Sequence, residues 1–242
     1  MSMEWSQKSA TIAYLDTLKL CNEQKEQCNS SPTPEPETNE FISALAAGMR
    51  SKLIVEVTSE VSPSTIALAA AARQTGGKLV CILPEPTVDK SQKVIEDLGL
   101  NDVVEFITGD PVELLPNYEN IDFSLVDCKT DNYPRLLKLL DVNPRRSVVV
   151  ANNLMKGRKG LGGHLEGMEN KVEVRSMKHP IGEGMEVTMI GRSADLGKRD
   201  RGGSLHRTEK KGGSVKRNKS KWVVKVDEKS GEEHIFRLPK SH

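Results

Sequence analysis

The sequence predicts an α/β fold, in which a mostly parallel β-sheet carries helices on both faces. Three observations support this prediction. Short apolar runs alternate with helical patterns from residue 53 to residue 151. These runs are rich in Val, Ile and Leu with almost no polar alternation, which is typical of parallel strands covered on both faces. The last two apolar runs are separated by a short loop, which predicts an antiparallel hairpin at one edge of the sheet.

Two helices are predicted before the first strand. Apolar residues recur at helical spacing over residues 6–21, so we expect residues 1–29 to contain an N-terminal amphipathic helix. Residues 30–37 include three prolines and predict a linker. A second helix is expected over residues 38–49, with its end near Gly48.

Seven strands are predicted within a domain that spans residues 38–191. The first five cover residues 53–58, 78–83, 102–107, 122–127 and 146–151. Helices are expected between them, at residues 63–75, 88–98 and 132–141, with a short piece at 111–115. The last two strands, at residues 172–177 and 185–190, form the predicted edge hairpin.

The composition changes after Gly191. Residues 192–221 contain eleven Lys or Arg and three Asp or Glu, which gives a net charge of +8, and they are rich in Gly and Ser. They predict a basic disordered segment that binds an acidic partner or nucleic acid, with a solvated linker as the alternative. Within them, residues 216–221 are compatible with a nuclear-import signal. Residues 222–242 predict a small hairpin, which is marginal in isolation.

Several classes of protein are excluded by composition. Lys and Arg number 35 against 34 Asp and Glu, so the total charge of +1 indicates no particular partner. No run of about 18 apolar residues occurs, and the first residues lack a secretion signal, so we expect neither a membrane span nor secretion. Four cysteines show no CxxC spacing, and Cys81 and Cys128 lie in apolar runs. Buried thiols in the cytoplasm or nucleus are therefore expected.

Four segments resemble the class I S-adenosylmethionine-dependent methyltransferases, and more closely their caffeoyl-CoA and catechol O-methyltransferase-like group. These segments are residues 54–69, 123–133, 148–154 and 179–187, in that group's order. The resemblance covers about residues 38–191 and implies a Rossmann-like seven-stranded sheet. It also implies that S-adenosylmethionine is the cofactor and that the acceptor is a small oxygen nucleophile. The whole chain further resembles a plant-specific family of methyltransferase-like proteins of uncharacterised function.

The resemblance implies that cofactor contacts lie at the carboxyl ends of the strands. The implied residues are Glu56, Thr58, Ser62, Ser64, Glu85, Gly109, Asp110 and Asp127. Thr58 and Ser62 stand where the group has glycines, so their side chains would fill ligand space and strain any positive φ that the loop requires. The alternative is a packed strand-to-helix turn that binds no ligand.

Two of these implied contacts have ordinary structural alternatives. The group usually has a ribose-binding acid at the end of its second strand, where this chain has Leu83. Glu85 is the candidate replacement, and a solvated loop residue is the alternative. Asp110 is expected either at the adenine or as the cap of a short helix that starts at Pro111.

The resembled group holds a divalent metal with two Asp and one Asn. Asp127 and Asn153 match this set, but Asn152 stands at the second Asp position. Because the affinity for hard cations depends on the number of charged ligands, divalent metal binding is not expected. Asp127 and Asn153 would then cap strand ends and hold loops. Three basic residues, Lys129, Lys156 and Arg158, are expected at the same edge and are a weak indication of an anionic ligand.

Two functions remain as alternatives. The first is an S-adenosylmethionine-dependent O-methyltransferase with a degenerate cofactor loop and metal site. The second is a non-catalytic binding or interaction module on the same fold. The missing glycines, ribose acid and metal carboxylate favour the second, whereas the polar strand ends and the matched spacing favour the first.

Overall fold

The computed structural model describes residues 5–27, 38–84, 88–129, 131–154, 158, 160–161, 173–191, 222–226 and 233–237. The chain forms two compact units, residues 1–199 and residues 200–242. In the second unit, Trp222–Val226 and Glu233–Arg237 pair as an antiparallel hairpin with Trp222 opposite Arg237. The hairpin was predicted from sequence. The predicted basic segment, residues 192–221, lies outside the described residues, as does the linker over residues 30–37.

The first unit contains six α-helices and seven strands among its described residues. The helices are α1 Gln7–Gln27, α2 Thr38–Gly48, α3 Pro63–Thr75, α4 Val88–Asp97, α5 Pro111–Leu114 and α6 Tyr133–Leu139. The strands are β1 Leu53–Val57, β2 Lys78–Leu83, β3 Val104–Thr108, β4 Phe123–Asp127, β5 Arg146–Asn152, β6 Glu173–His179 and β7 Met185–Gly191. A single 3₁₀ turn, Leu115–Asn117, follows α5. No described helix has the length and apolar character that crossing a membrane requires.

The seven strands form one sheet in the order β3-β2-β1-β4-β5-β7-β6. All neighbouring pairs from β3 to β5 are parallel, whereas β7 runs antiparallel to both β5 and β6. The predicted mostly parallel sheet with an antiparallel hairpin at one edge is therefore confirmed. The return strand β7 is inserted between β5 and β6. The order of the strands reverses between β1 and β4, which is where open α/β sheets place ligands.

Some predicted boundaries differ from those observed. Helix α1 continues to Gln27, beyond the predicted end at residue 21. Strand β3 begins at Val104 rather than at residue 102, because the Val103 N–H donates to Leu100 in the turn that follows α4. Helix α6 ends at Leu139, two residues before the predicted end, because Leu140 is already extended with ψ 116°.

Each face of the sheet has its own apolar core. Ile54, Phe123 and Leu125 pack on one face against α1, α2, α3 and α4, whereas Val55 and Val126 pack on the other against α6 and the 3₁₀ turn. This division follows from the alternation of side chains along a strand. Helices on both faces were predicted from the apolar strands, and the two cores confirm them.

Helix α3 is covered both by the sheet and by other helices. Its alanines at positions 67 and 69–72 have no exposed surface, and the helix packs against α1 and α2 as well as the sheet. Small side chains allow this close packing, and a helix that is apolar all round is a buried helix. A buried bond of 2.8 Å from the Thr17 hydroxyl to Ser43 joins α1 to α2. The N-terminal helix is therefore part of the same packed unit as the sheet.

The last residue of α2, Gly48, is a glycine for a packing reason. A Cβ at this position would overlap the indole ring of Trp5, which lies directly on the glycine. The Ser6 N–H also donates to the Gly48 carbonyl at 3.0 Å. The left-handed residue that closes α2 is Arg50, with φ 56°. The prediction of a helix end near Gly48 was right, although the closing residue lies two positions later.

The buried thiols predicted for the strands are present. Cys81 and Cys128 are both fully buried, and no disulfide joins the cysteines in the described part of the chain. Burial raises the pKa of the Cys128 thiol to about 12, with smaller effects from neighbouring charges. A thiol in this state is protonated and weakly reactive.

Candidate functional site

A cleft of about 210 Å³ opens at the carboxyl edge of the sheet, at the reversal of strand order between β1 and β4. Its lining residues are Val57, Thr58, Ser59, Ile82, Leu83, Pro84, Gly109, Pro111, Asp127, Asn132 and Leu136. They come from the ends of four parallel strands and from the first turns of α5 and α6. Three of the predicted cofactor residues, Thr58, Gly109 and Asp127, meet in this cleft.

The loop between β1 and α3 keeps ordinary backbone angles at the two former glycine positions. Ser62 has φ −133° and ψ 172°, and Thr58 is not among the described residues with positive φ. The loop therefore requires no positive φ at these two positions, so the condition for the expected backbone strain is not met. Thr58 is held by a bond of 3.1 Å from its N–H to the Ile82 carbonyl, and its hydroxyl donates to Glu60. Its side chain still occupies space in the cleft.

The start of α3 satisfies its own backbone donors. The Ser62 hydroxyl accepts from the Ser64 N–H at 3.3 Å, and the Ser62 N–H donates to the Thr65 hydroxyl at 3.2 Å. Pro63 occupies the first turn and needs no partner for its nitrogen. This is a reciprocal capping box. The Ser64 N–H at the start of the helix is therefore already bonded, which leaves one donor fewer for an anionic group. The alternative that this turn binds no ligand stays a prediction.

Glu56 lies beneath this loop with no exposed surface. Its carboxylate accepts from the Ser64 hydroxyl at 2.6 Å and from the Cys81 thiol at 3.7 Å. Burial raises the pKa of Glu56 above its ordinary value of 4.5, and this effect exceeds the opposing effect of its hydrogen bonds. The structure therefore places Glu56 and Ser64 in a buried contact that fastens α3 to β1. A direct cofactor contact by Glu56 would require this contact to open.

The three predicted metal ligands lie together at the ends of β4 and β5. Asp127 is the register partner of Asn152, and its Oδ1 accepts from the Asn153 side-chain amide at 2.8 Å. The same oxygen accepts from the Lys129 N–H at 3.1 Å. Asn153 adopts a left-handed φ of 56°, which aims its amide at the aspartate.

This donor set does not fit a hard divalent cation. It offers one carboxylate, Asp127, and Asn153 presents its nitrogen to that carboxylate, whereas a cation needs its oxygen. Among the described residues no group of three or more His, Cys, Asp or Glu is placed to hold a metal ion. Asp127 and Asn153 together close the loop after β4, which was the structural alternative.

The polar residues after β3 have a structural role. The Asp110 carboxylate accepts from the Val112 N–H at 2.8 Å and so caps α5. Gly109 reaches the cleft with φ 137°, a conformation that side chains rarely adopt. Asp110 thus serves as the predicted helix cap, and its adenine contact stays a prediction. Glu85 lies outside the described residues.

Arg158 fixes the loop that follows β4. Its guanidinium donates to the carbonyls of Cys128 and Lys129, pairs with Asp131 at 3.0 Å, and lies 5.4 Å from the centre of the Tyr133 ring. The sequence indicated only that this arginine lies near the carboxyl edge. Its contacts show that it holds the segment leading into α6, which contributes part of the cleft wall.

Sequence reasoning missed the apolar wall of the cleft. Pro84, Pro111 and Leu136 line it, together with Asn132. Their positions immediately after strands or in the first turn of the next helix could have indicated them. Their residue types could not, because Leu and Pro at such positions usually serve packing alone.

Solved structures of methyltransferases share this fold. A methyltransferase from Geobacter sulfurreducens is 21% identical, with a TM-score of 0.54 over 72% of this chain and 88% of that chain. A candidate caffeoyl-CoA O-methyltransferase from Staphylococcus aureus is 14% identical, with a TM-score of 0.56 over 72% and 92%. An O-methyltransferase from Bacillus cereus in complex with S-adenosylhomocysteine is 19% identical, with a TM-score of 0.52 over 73% and 90%. These likenesses confirm the predicted Rossmann-like methyltransferase fold.

The family assignment rests on the whole sequence. No curated protein matches the chain. A family model matches residues 1–238, which include the N-terminal helix, the sheet and the C-terminal hairpin. A restriction of this family to plants stays a prediction. The chain belongs to the DUF1442 family, whose description is protein of unknown function.

Proposed function

We propose that the cleft at the carboxyl edge binds the adenosyl portion of S-adenosylmethionine or S-adenosylhomocysteine. The observation that carries this proposal is the cleft's position at the reversal of strand order, with apolar walls and a few polar groups. Sites for nucleotide-like ligands have this composition and this position. The Bacillus cereus protein of the same fold is in complex with S-adenosylhomocysteine.

The walls suit a planar base and a sugar. Leu83, Pro84 and Leu136 offer apolar surface, while the Thr58 and Asp127 side chains stand nearby as hydrogen-bonding groups. Base rings gain most from apolar contact, and a carboxylate can accept from ribose hydroxyls. Asp127 is the only carboxylate among the described lining residues, so it is our candidate for the ribose contact.

The size of the cleft fits part of the cofactor. Its volume of about 210 Å³ is below the range of about 300–1,000 Å³ that is typical of small-molecule sites. Thr58 contributes to this narrowing, because it stands where the resembled group has a glycine. We therefore assign the cleft to the adenosyl portion, with the methionyl portion directed toward the capped start of α3.

The start of α3 and the end of β4 favour binding over catalysis. Ser64 donates its hydroxyl to Glu56, and the Asp127 Oδ1 is bonded to Asn153 and Lys129. When bound, S-adenosylmethionine supplies an electrophilic methyl group. Deprotonation of an oxygen acceptor would need a base or a metal. Asp127 and Asn153, which match metal ligands of the resembled O-methyltransferase group, are bonded to each other. We propose a ligand-binding module descended from a methyltransferase, and the O-methyltransferase is the second candidate.

The test is a calorimetric titration of the full chain with S-adenosylhomocysteine. Ser59→Trp places a large ring in the cleft, whereas Glu60→Trp makes the same change at the next residue, which does not line it. We expect binding by the natural protein and by Glu60→Trp, and loss of binding in Ser59→Trp. Absence of binding by the natural protein, or equal binding by both variants, would contradict the proposal.

We also propose that residues 192–221 bind an acidic partner, with nucleic acid as the specific candidate. The support is their net charge of +8, from eleven basic and three acidic residues. Neutralising phosphates with Lys and Arg gives affinity that falls steeply with salt. A cytoplasmic or nuclear location belongs to the same proposal, supported by buried thiols and the basic cluster at residues 216–221. Deleting residues 192–221 should abolish oligonucleotide binding at low salt.

A further inference from the structure

A second cavity lies at the opposite edge of the sheet, where the strands begin. Its volume is about 180 Å³, and it is formed by the turn between α2 and β1 and by the segments leading into β4 and β5. Arg50, Lys52 and Arg146 line it, together with the single carboxylate of Asp122. The cleft described above lies at the carboxyl edge, so the two cavities share no residue.

The turn after α2 uses an arginine where glycine is favoured. The ends of α2, α3 and α4 are closed by the same two backbone hydrogen bonds. The N–H of the left-handed residue donates to the carbonyl three residues earlier, and the N–H of the next residue donates to the carbonyl five residues before it. The left-handed residue of this motif is Gly76 after α3 and Gly99 after α4, but Arg50 after α2, with φ 56°. An L side chain is disfavoured in this conformation. A strained residue that lines a cavity is a reason to look for a function.

Ser51 adds a polar group without a partner. It lines the cavity and is fully buried, and its hydroxyl has no hydrogen-bond partner in the described part of the chain. Buried hydroxyl groups normally have a partner, so one that lacks it calls for an explanation.

Two of the three basic side chains, those of Lys52 and Arg146, bind carbonyl groups at the ends of helices. The Lys52 ammonium donates to the carbonyls of Thr75 and Gly76 at the end of α3, and Arg146 donates to Gly48 at the end of α2. Cations at the carboxyl ends of helices are stabilising. This explanation does not cover the conformation of Arg50 or the hydroxyl of Ser51.

The carboxylate of the cavity is occupied by protein donors. Asp122 accepts from the N–H groups of Lys52 and Leu53, at 2.8 and 3.1 Å, and from the Asn143 amide at 3.0 Å. It holds the backbone of the turn in place. The described lining residues therefore include three basic side chains and one carboxylate, and that carboxylate already accepts three hydrogen bonds.

We propose that this cavity binds a phosphate group carried by a small molecule, with Arg50 as the principal ligand. A guanidinium matches two phosphate oxygens with two N–H groups. A volume of about 180 Å³ corresponds to about six water molecules, so it accommodates a phosphate group. The site does not depend on the proposed adenosyl cleft.

The experiment measures the thermal unfolding of the full chain in sodium phosphate against sodium chloride at equal ionic strength and pH. Arg50→Gly is the informative variant, because glycine suits the left-handed position and the protein should fold at least as well. Lys93→Ala is the control, since it removes an exposed cation from α4, away from the cavity. Ser59→Trp, which fills the other cleft, separates this proposal from the adenosyl one.

We expect phosphate to raise the unfolding temperature of the natural protein, Lys93→Ala and Ser59→Trp to the same extent. Arg50→Gly should unfold at a higher temperature in chloride and bind phosphate at least tenfold more weakly. Absence of a phosphate effect in the natural protein would overturn the proposal. An equal effect in Arg50→Gly would also overturn it, because phosphate ions strengthen apolar burial in proteins generally through their exclusion from the surface.

Discussion

Replacing Glu56 by glutamine should change how the stability of the protein depends on pH. Glu56 has no exposed surface, and burial raises the pKa of its carboxyl above the ordinary 4.5. The folded protein therefore holds a proton at pH values where the unfolded chain has released it. In the Glu56→Gln variant the side-chain amide oxygen would still accept from Ser64, but the amide cannot titrate.

The direction and the size of the change in unfolding free energy with pH follow from proton linkage. Below pH 4.5 both states are protonated, and the full contribution of Glu56 to stability is present. As the pH rises from there toward the raised pKa of the folded state, this contribution is lost, because the folded state binds more protons than the unfolded state. For one group the slope reaches about 1.4 kcal/mol per pH unit. The natural protein should lose stability relative to Glu56→Gln over this window.

The assay is urea unfolding of both proteins at half-unit steps from pH 4 to pH 8. The difference in unfolding free energy should favour Glu56→Gln increasingly as the pH rises. Glu60→Gln, which removes an exposed carboxylate of the same loop, is the control for the change in net charge. A difference that stays flat with pH, or one that turns in favour of the natural protein as the pH rises, would refute the reasoning.

Three further predictions concern the cofactor loop, the metal ligands and the N-terminal contact. Thr58→Gly should tighten S-adenosylhomocysteine binding in calorimetry at a cost of about 1 kcal/mol in stability. Glu60→Gly, which changes an exposed residue of the same loop that does not line the cleft, should leave the affinity unchanged, and equal tightening in Glu60→Gly would contradict this. Roughly millimolar Mg²⁺ should shift the melting temperature of the natural protein no more than that of Asp127→Ala, because an ion stabilises the folded state only when its concentration exceeds the dissociation constant. A shift of several degrees seen only in the natural protein would show a metal site. Gly48→Val should displace the Trp5 indole and move its fluorescence to longer wavelength in a Trp222→Phe background, whereas an unchanged spectrum would place Trp5 elsewhere.

The sheet could be predicted from the sequence because its strands are nearly continuous apolar runs separated by amphipathic helices. Residues 53–57 and 146–152 have this character and became β1 and β5. The inserted position of β7 could not be read from its own residues. The short loop before β7 predicts only that β7 pairs with β6 in a hairpin. The pairing of β7 with β5 depends on how the whole sheet packs.

The local chemistry of the site was harder to predict. A serine before a proline predicts a helix cap, and Ser62 has that role. The backbone angles of a loop depend on its whole path, so the sequence could not tell whether Thr58 requires a positive φ, and the structure shows that it does not. The contacts of Arg158 could not be predicted from sequence, because its partners lie about thirty residues earlier in the chain.

The most direct test of the account is a crystal structure of the full chain soaked with S-adenosylhomocysteine. We predict that the adenosyl group lies among Leu83, Pro84 and Leu136, with its ribose beside Asp127. The methionyl portion should lie toward Ser62 at the start of α3, and the Asp127–Asn153 bond should stay closed. An empty cleft at saturating ligand, or a ligand bound at another surface, would contradict the central claim.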